Sequence, residues 1–255
     1  MSNPLQPGSL DGKRVLVTGS SRGVGADTVR YFAEAGAHVA INFRNKEARA
    51  EKLADSIRDS GGTAITVGAD LTKPESVKAM FDIVAKELGQ LDILVLNASG
   101  GMESGMDEDY AMVLNRDAQV GALAAAQSLL GHGSRVVFVT SHQAHFIRTT
   151  PTMPEYEQVA TSKRAGEDAL REQIPALAEK GIDFVVVSGD MIEGTITATL
   201  LNRMNPGALD ERKKAAGKLY NVAEFAAEVA LAAVEPIPED NTRLVGDVSG
   251  FTPES

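Results

Sequence analysis

Six short β-branched runs recur along the chain, with longer helical stretches between them. They are Arg14–Thr18 (RVLVT), His38–Asn42 (HVAIN), Thr63–Val67 (TAITV), Ile93–Leu96 (ILVL), Val136–Thr140 (VVFVT) and Phe184–Ser188 (FVVVS). Leu244–Val245 opens a seventh. Most are apolar at successive positions, as strands covered on both faces must be. The helical stretches have readable ends. Val24–Ala35 stops at Gly36, Lys46–Ser60 at Gly61-Gly62, Pro74–Leu88 at Gly89, and a later helix at Gly181. Glycine just past a helix tolerates the left-handed cap, and proline suits a first turn. Strands alternating with helices predict an α/β fold, a single doubly wound parallel sheet with right-handed crossovers and helices on both faces.

The 255 residues suit one such domain, 1–255, because no repeat, linker or low-complexity segment divides them. Met1–Leu10 (MSNPLQPGSL) has neither a basic start nor an apolar core, and reads as a short flexible arm. The chain carries no cysteine, which excludes disulfides, thiolate metal sites and a cysteine nucleophile. The formal charge of −10 disfavours nucleic acid and anionic membranes as partners. No apolar run approaches the ~18 residues of a membrane span, so a cytoplasmic protein is expected. Two regions break the rhythm. Ser141–Glu155 is long and polar with two prolines, and residues 190–220 form a candidate substrate loop or lid after the sixth strand. Loops at the carboxyl ends of such strands build the ligand crevice.

Directly after the first strand stands Thr18-Gly19-Ser20-Ser21-Arg22-Gly23-Val24-Gly25. Its glycines permit a tight turn and a close phosphate approach, and the helix behind it offers free N–H groups. A strand before it and a helix after it are the context that a nucleotide site requires. The second strand ends in Asn42-Phe43-Arg44-Asn45 and carries no acid to accept a ribose 2′-hydroxyl. Arg44 and Arg22 stand there instead, and two arginines clamp a 2′-phosphate. NADP(H) is therefore the expected cofactor.

The spacing T-G-x-x-x-G-x-G resembles that of the short-chain dehydrogenase/reductase family, whose Rossmann-type fold matches the strand pattern. The likeness continues in chain order. Asp70 and Leu71 follow the third strand, where the family contacts adenine. Asn97-Ala98-Ser99-Gly100 resembles its N-N-A-G element, with Leu96 in place of the first asparagine. Asn115 matches the asparagine of the next helix, Ser141 the serine closing the fifth strand, and Ser162-Lys163 the end of Y-x-x-S-K. Ser188-Gly189 stands where Pro-Gly is usual, and Thr195 where a threonine touches the nicotinamide amide. The resemblance implies cofactor contacts at Gly19, Ser21, Arg22, Gly23, Val24, Gly25, Arg44, Asn45, Asp70, Leu71, Asn97, Ala98, Ser99, Lys163, Gly189 and Thr195. It implies Ser141, Lys163 and Asn115 at the chemical site, Asn115 by holding a relay water. It also implies a homodimer or homotetramer.

One position departs. The residue four before Lys163 is Val159, which cannot donate a proton, and the nearest tyrosine is Tyr156. At ~100° per residue, seven residues return to within about 20° of the starting face, against about 40° for four. Tyr156 and Lys163 thus share a face, about 10 Å apart along the axis rather than about 6 Å. That spacing opposes direct contact but lets both border one pocket, with Pro154 starting the helix. His142 and His145 offer imidazoles as alternative donors, and water is a third. Glu193 and Asp190 read as solvated, and no metal-ligand spacing is visible. Pro175 predicts an interruption of the lysine-bearing helix. The tail after Gly246 is short and polar. In the lid, apolar residues mix with Arg203, Arg212, Lys213 and Lys214, which suits an apolar or acyl substrate bearing an acid.

The leading expectation is an oxidoreductase moving hydride between NADP(H) and a small carbonyl or alcohol. A nucleotide-binding sensor or interaction protein that lost the acid is the alternative, and Val159 supports it. A non-redox enzyme on the same fold is a third.

Overall fold

A computed structural model of the chain describes residues 2–103 and 105–252. Seven parallel strands form one sheet in the order β3-β2-β1-β4-β5-β6-β7. In chain order the first elements are β1 (Arg14–Val17), α1 (Gly23–Glu34), β2 (His38–Phe43), α2 (Glu47–Asp59), β3 (Thr63–Gly68), α3 (Pro74–Leu88) and β4 (Leu91–Leu96). Next come α4 (Tyr110–Met112), a π turn (Val113–Asp117), α5 (Ala118–Ala126), β5 (Leu130–Ser141), α6 (His142–His145), α7 (Pro154–Arg171) and α8 (Ile174–Glu179). The chain closes with β6 (Asp183–Gly189), α9 (Ile196–Met204), α10 (Ala208–Ala216), α11 (Val222–Ala232) and β7 (Thr242–Val245).

The apolar strands divide their residues between two cores. Val15, Val17, Ile93, Val95, Val137, Val185 and Val187 pack with α1, α2 and α11. Their neighbours Leu16, Leu94, Leu96, Val136, Phe138, Phe184 and Val186 pack with α3, α5 and α8 on the opposite face. That period of two, with both faces apolar, is why the runs read as continuous hydrophobic strings. The order reverses between β1 and β4, so a crevice opens where the chain leaves β1 and β4. A third apolar cluster, including Tyr156, Val159, Met191, Leu201 and Leu219, lies among α7, the segment after β6, α9 and the start of the segment before α11.

Three sequence expectations change. Residues 2–10 are not a loose arm: Leu5 and Leu10 are buried in the first core, and Asn3 Nδ2 donates to Tyr31 O at 2.9 Å. Burial of the two leucines and the Asn3 bonds to Tyr31 and Glu34 hold the segment against α1. The polar run after Ser141 begins as α6, and Ser141 Oγ caps it by accepting from Ala144 N at 3.4 Å. The polar tail also docks, because Phe251 is buried and stacks on Phe146. Pro175 does interrupt the lysine-bearing helix: α7 ends at Arg171 and α8 restarts with the proline in its first turn. Among the described residues no helix is long and apolar enough to cross a membrane.

Candidate active site

The glycine loop is pinned by backbone and side-chain bonds to its neighbours. Thr18 Oγ1 accepts from Asn97 N at 2.9 Å and from Ala98 N at 3.1 Å, and Asn97 Nδ2 returns a bond to Thr18 O at 2.9 Å. Gly19 N donates to Asn42 Oδ1 at 2.9 Å. These bonds tie the ends of β1, β2 and β4 together. Gly19 has φ +62°, and a Cβ there would sit 3.0 Å from Ala98 Cα. A Cβ on Gly25 would meet Asn97 Nδ2 at 2.7 Å and Gly19 O at 2.9 Å. Arg22 precedes α1 in extended conformation with no side-chain cap, so the first N–H groups of α1 lack a side-chain acceptor. This combination suits a phosphate against backbone.

The expected adenosine contacts follow the ends of β1, β2 and β3. Arg22, Arg44 and Asn45 are exposed, while Asp70 is half-buried and Leu71 is buried. Arg44 Nη1 donates to the Tyr110 hydroxyl, and its guanidinium lies 6.0 Å from that ring's centroid. Asp70 Oδ1 accepts from Thr72 N at 3.1 Å and Thr72 Oγ1 at 2.7 Å, which fixes its turn.

Beyond the loop a cavity is lined by Val24, Asn97, Ser99, Ser141, Tyr156, Lys163 and Thr195 together with Gln143, Asp190 and Met191. Tyr156 is in the first turn of α7, Lys163 two turns later, and Ser141 at the end of β5. The Tyr156 hydroxyl lies 3.3 Å from Ser141 Oγ, with both residues buried. Val159 takes no part in the lining. It is buried in the third cluster, and its Cγ2 would be 3.1 Å from a Cβ on Gly101. The cavity thus brings the paired Ser141 and Tyr156 hydroxyls and the Lys163 side chain into one lining.

A family model for short chain dehydrogenases matches residues 13–205. The chain belongs to the short-chain dehydrogenase/reductase family. A short-chain dehydrogenase/reductase of Pestalotiopsis microspora is 34% identical over 179 residues, covering 67% of this chain and 66% of that relative. A 1-cyclohexenylcarbonyl-CoA reductase of Streptomyces collinus is 32% identical over 202 residues, 76% of this chain and 70% of the other. A short chain dehydrogenase from Burkholderia cenocepacia, solved in complex with NADP, superposes with a TM-score of 0.76 at 29% identity, covering 93% of this chain and 97% of that one. By family the protein is an oxidoreductase.

Within this short-chain dehydrogenase/reductase several expected roles move. Asn115 does not line the cavity. The π turn opens the helix there, and its Nδ2 donates to Gly100 O at 2.8 Å and Ser162 Oγ at 2.9 Å, while its Oδ1 accepts from Gly100 N at 3.2 Å. With both ends of the amide engaged, its side chain ties the loop after β4 to Ser162 of α7. A Cβ on Gly166 would lie 2.0 Å from Asn115 O, so α7 packs directly on that turn. Gly189 likewise faces Phe225, whose Cε2 would be 2.3 Å from an added Cβ. Thr195 caps α9, accepting from Ala198 N at 3.2 Å.

The histidines are elsewhere. His142 is fully buried, with Nδ1 2.8 Å from Ser188 Oγ and Nε2 3.1 Å from Val245 O, and burial pulls its pKa down to about 4. His145 Nδ1 pairs with Glu167 Oε1 at 2.8 Å. Neither ring lines the cavity, so they leave the list of proton donors. Asp190 is the opposite correction. It is not solvated but buried in the cavity wall, and Arg212 Nε donates to its Oδ2 at 2.6 Å. Arg212 thus leaves the expected basic rim of the lid. Glu193 stays half-exposed and meets Lys213 at 2.8 Å. Sequence reasoning also missed Gln143 and Met191. The available signal was position, since each lies within two residues of the carboxyl end of β5 or β6.

Proposed function

We propose that this short-chain dehydrogenase/reductase is an NADP(H)-dependent carbonyl reductase, with Tyr156 as its displaced proton donor. The observation that carries the reading is the Tyr156–Ser141 hydroxyl pair bordering one cavity with Lys163. NADP(H) fits the residues present: a glycine cradle that a Cβ would fill, an uncapped α1 N-terminus, and two exposed arginines at the ends of β1 and β2 with no acid beside them. The relative from Burkholderia cenocepacia crystallised with NADP supports the same choice. When bound, NADPH supplies hydride to a carbonyl carbon.

The chain's part is to stabilise the charge that then develops on the carbonyl oxygen. Ser141 Oγ and the Tyr156 hydroxyl converge to hydrogen-bond that oxygen, and Tyr156 gives it a proton. Lys163 contributes a positive charge in a low-dielectric wall, where it acts more strongly than in water. Gly19, Ser21, Gly23, Val24 and Gly25 hold the pyrophosphate, Arg22 and Arg44 the 2′-phosphate, and Asp70 and Leu71 the adenine side. Asn97, Ala98, Ser99, Lys163, Gly189 and Thr195 border the nicotinamide half. Residues 190–220 cover the cavity as a lid within one domain, 1–255, and copies of the chain pair as a homodimer or homotetramer.

Steady NADPH oxidation across a panel of ketones tests the reading. Tight NADPH binding with no turnover on any ketone would favour the sensor alternative.

A further inference from the structure

Resting on the reductase reading, we propose that Gln143 and Asp190 form a subsite for a second, non-reacting hydroxyl of the substrate. The preferred substrates are then neutral hydroxy-ketones, not plain apolar ketones or ketones bearing an acid.

Val139, Met191, Ile192, Ala198, Leu201 and Phe225 give the cavity its apolar wall, with the threonines Thr140, Thr195 and Thr197 among them. Gln143 and Asp190, 7% and 8% exposed, interrupt it. A carboxylate in such a wall is costly, and burial raises the Asp190 pKa. An apolar residue would serve stability as well as a buried ion pair does.

The polar atoms define what binds. Asp190 accepts from Met191 N at 2.8 Å, Gln143 Nε2 at 3.3 Å and Arg212 Nε at 2.6 Å. A carboxylate offers roughly four lone-pair positions, so about one remains. The carboxylate also fixes the Gln143 amide, because only its NH₂ can face Asp190. Its Oε1 must point the other way, and it has no donor among the described residues. The free capacity of this wall is thus mainly acceptor. Arg212 pairs with Asp190 at 2.6 Å and also reaches Asp247 Oδ2 at 3.4 Å, so an anionic group at this wall would meet acceptors and a second carboxylate behind them. A hydroxyl donor is the complement.

The placement also suits one small molecule. Ser141 pairs with Gly189 across β5 and β6 in register, and Asp190 follows Gly189 directly. Gln143 lies two residues after Ser141. Ser141, Tyr156, Gln143 and Asp190 all line the same cavity, so one small molecule can reach both the Ser141–Tyr156 pair and the Gln143–Asp190 pair.

The test uses the NADPH-loaded protein with 1-tetralone and its 5-, 6- and 7-hydroxy derivatives. At least one hydroxy isomer should exceed the parent in kcat/KM by about tenfold or more, since a site that hydrogen-bonds a hydroxyl discriminates against its absence. Gln143→Met keeps the side-chain shape and leaves the Asp190–Arg212 pair intact, and should collapse that ratio to about twofold or less. Asp190→Asn should lower it as well. A wild-type ratio near one for every isomer, or a ratio unchanged by Gln143→Met, would overturn the proposal. Calorimetric binding of the same compounds separates it from the reductase reading. A retained affinity preference without turnover would sink only the reductase reading. Neither turnover nor binding of any isomer would overturn the subsite too.

Discussion

The Tyr156 hydroxyl stands 3.3 Å from Ser141 Oγ although Tyr156 precedes Lys163 by seven residues. Two helical turns, not one, separate the phenol from the lysine. The serine at the end of β5 is what the phenol meets. The segment 146–153 between α6 and α7 carries the chain back so that the first turn of α7 faces that strand end.

Tyr156→Phe is expected to lower carbonyl reduction by about 10²-fold or more, the usual size of a lost general acid. NADPH affinity should stay within about twofold, because the change deletes one hydroxyl from a ring that packs in an apolar cluster. Initial rates and a fluorescence titration on the same preparation check both halves. A Phe variant with wild-type rate would return the proton to water.

Arg22→Ala and Arg44→Ala should each weaken NADPH and leave NADH nearly unchanged. One lost charge-assisted bond of ~1.5–3 kcal/mol is roughly a tenfold to hundredfold loss. Calorimetry with both cofactors reads the difference. Equal weakening would mean that the arginines hold the shared pyrophosphate. Tyr110→Phe offers a companion variant, since it removes the hydroxyl that Arg44 engages while keeping the ring beneath it.

Gly25→Ala should impair cofactor binding at least tenfold and lower the melting temperature. The new methyl would sit 2.7 Å from Asn97 Nδ2 and 2.9 Å from Gly19 O, inside the bonds that hold the loop. Overpacking of this kind costs about 1–3 kcal/mol. An unshifted melting curve with normal NADPH affinity would show that the loop can open to admit it.

Stability should fall as pH drops from about 6.5 toward 4. His142 is neutral in the fold down to about 4, whereas the unfolded chain protonates it near 6.5. Between those values the unfolded state binds a proton that the fold refuses, worth up to about 3 kcal/mol. His145, Arg212 and Asp247 are the charged groups acting on it. Glu167, although burial raises it, is held low by His145 and Arg171 and adds loss in the same direction at lower pH. Denaturant melts at stepped pH should show this slope, and His142→Gln should flatten part of it. A slope identical in the variant would place the effect on other groups.

The sequence alone determined the sheet, its glycine cradle and the family, because each is encoded locally. Val15–Val17 and Val185–Val187 read as buried strands from their own composition, and Gly19, Gly23 and Gly25 carry their spacing within one turn. It also showed that Val159 could not be the acid and that Tyr156 shared a face with Lys163, since helical angle follows from residue number. What only the tertiary structure decided was which groups meet across elements. Ser141 meets Tyr156, His142 turns into the β5–β6–β7 junction, and Asp190 draws Arg212 down from α10. Spacing along the chain says nothing about such encounters between a strand end and a helix brought together only by folding. The same limit made Asp190 read as solvated: a carboxylate is normally left in water unless a distant partner arrives, and that partner lies 22 residues on.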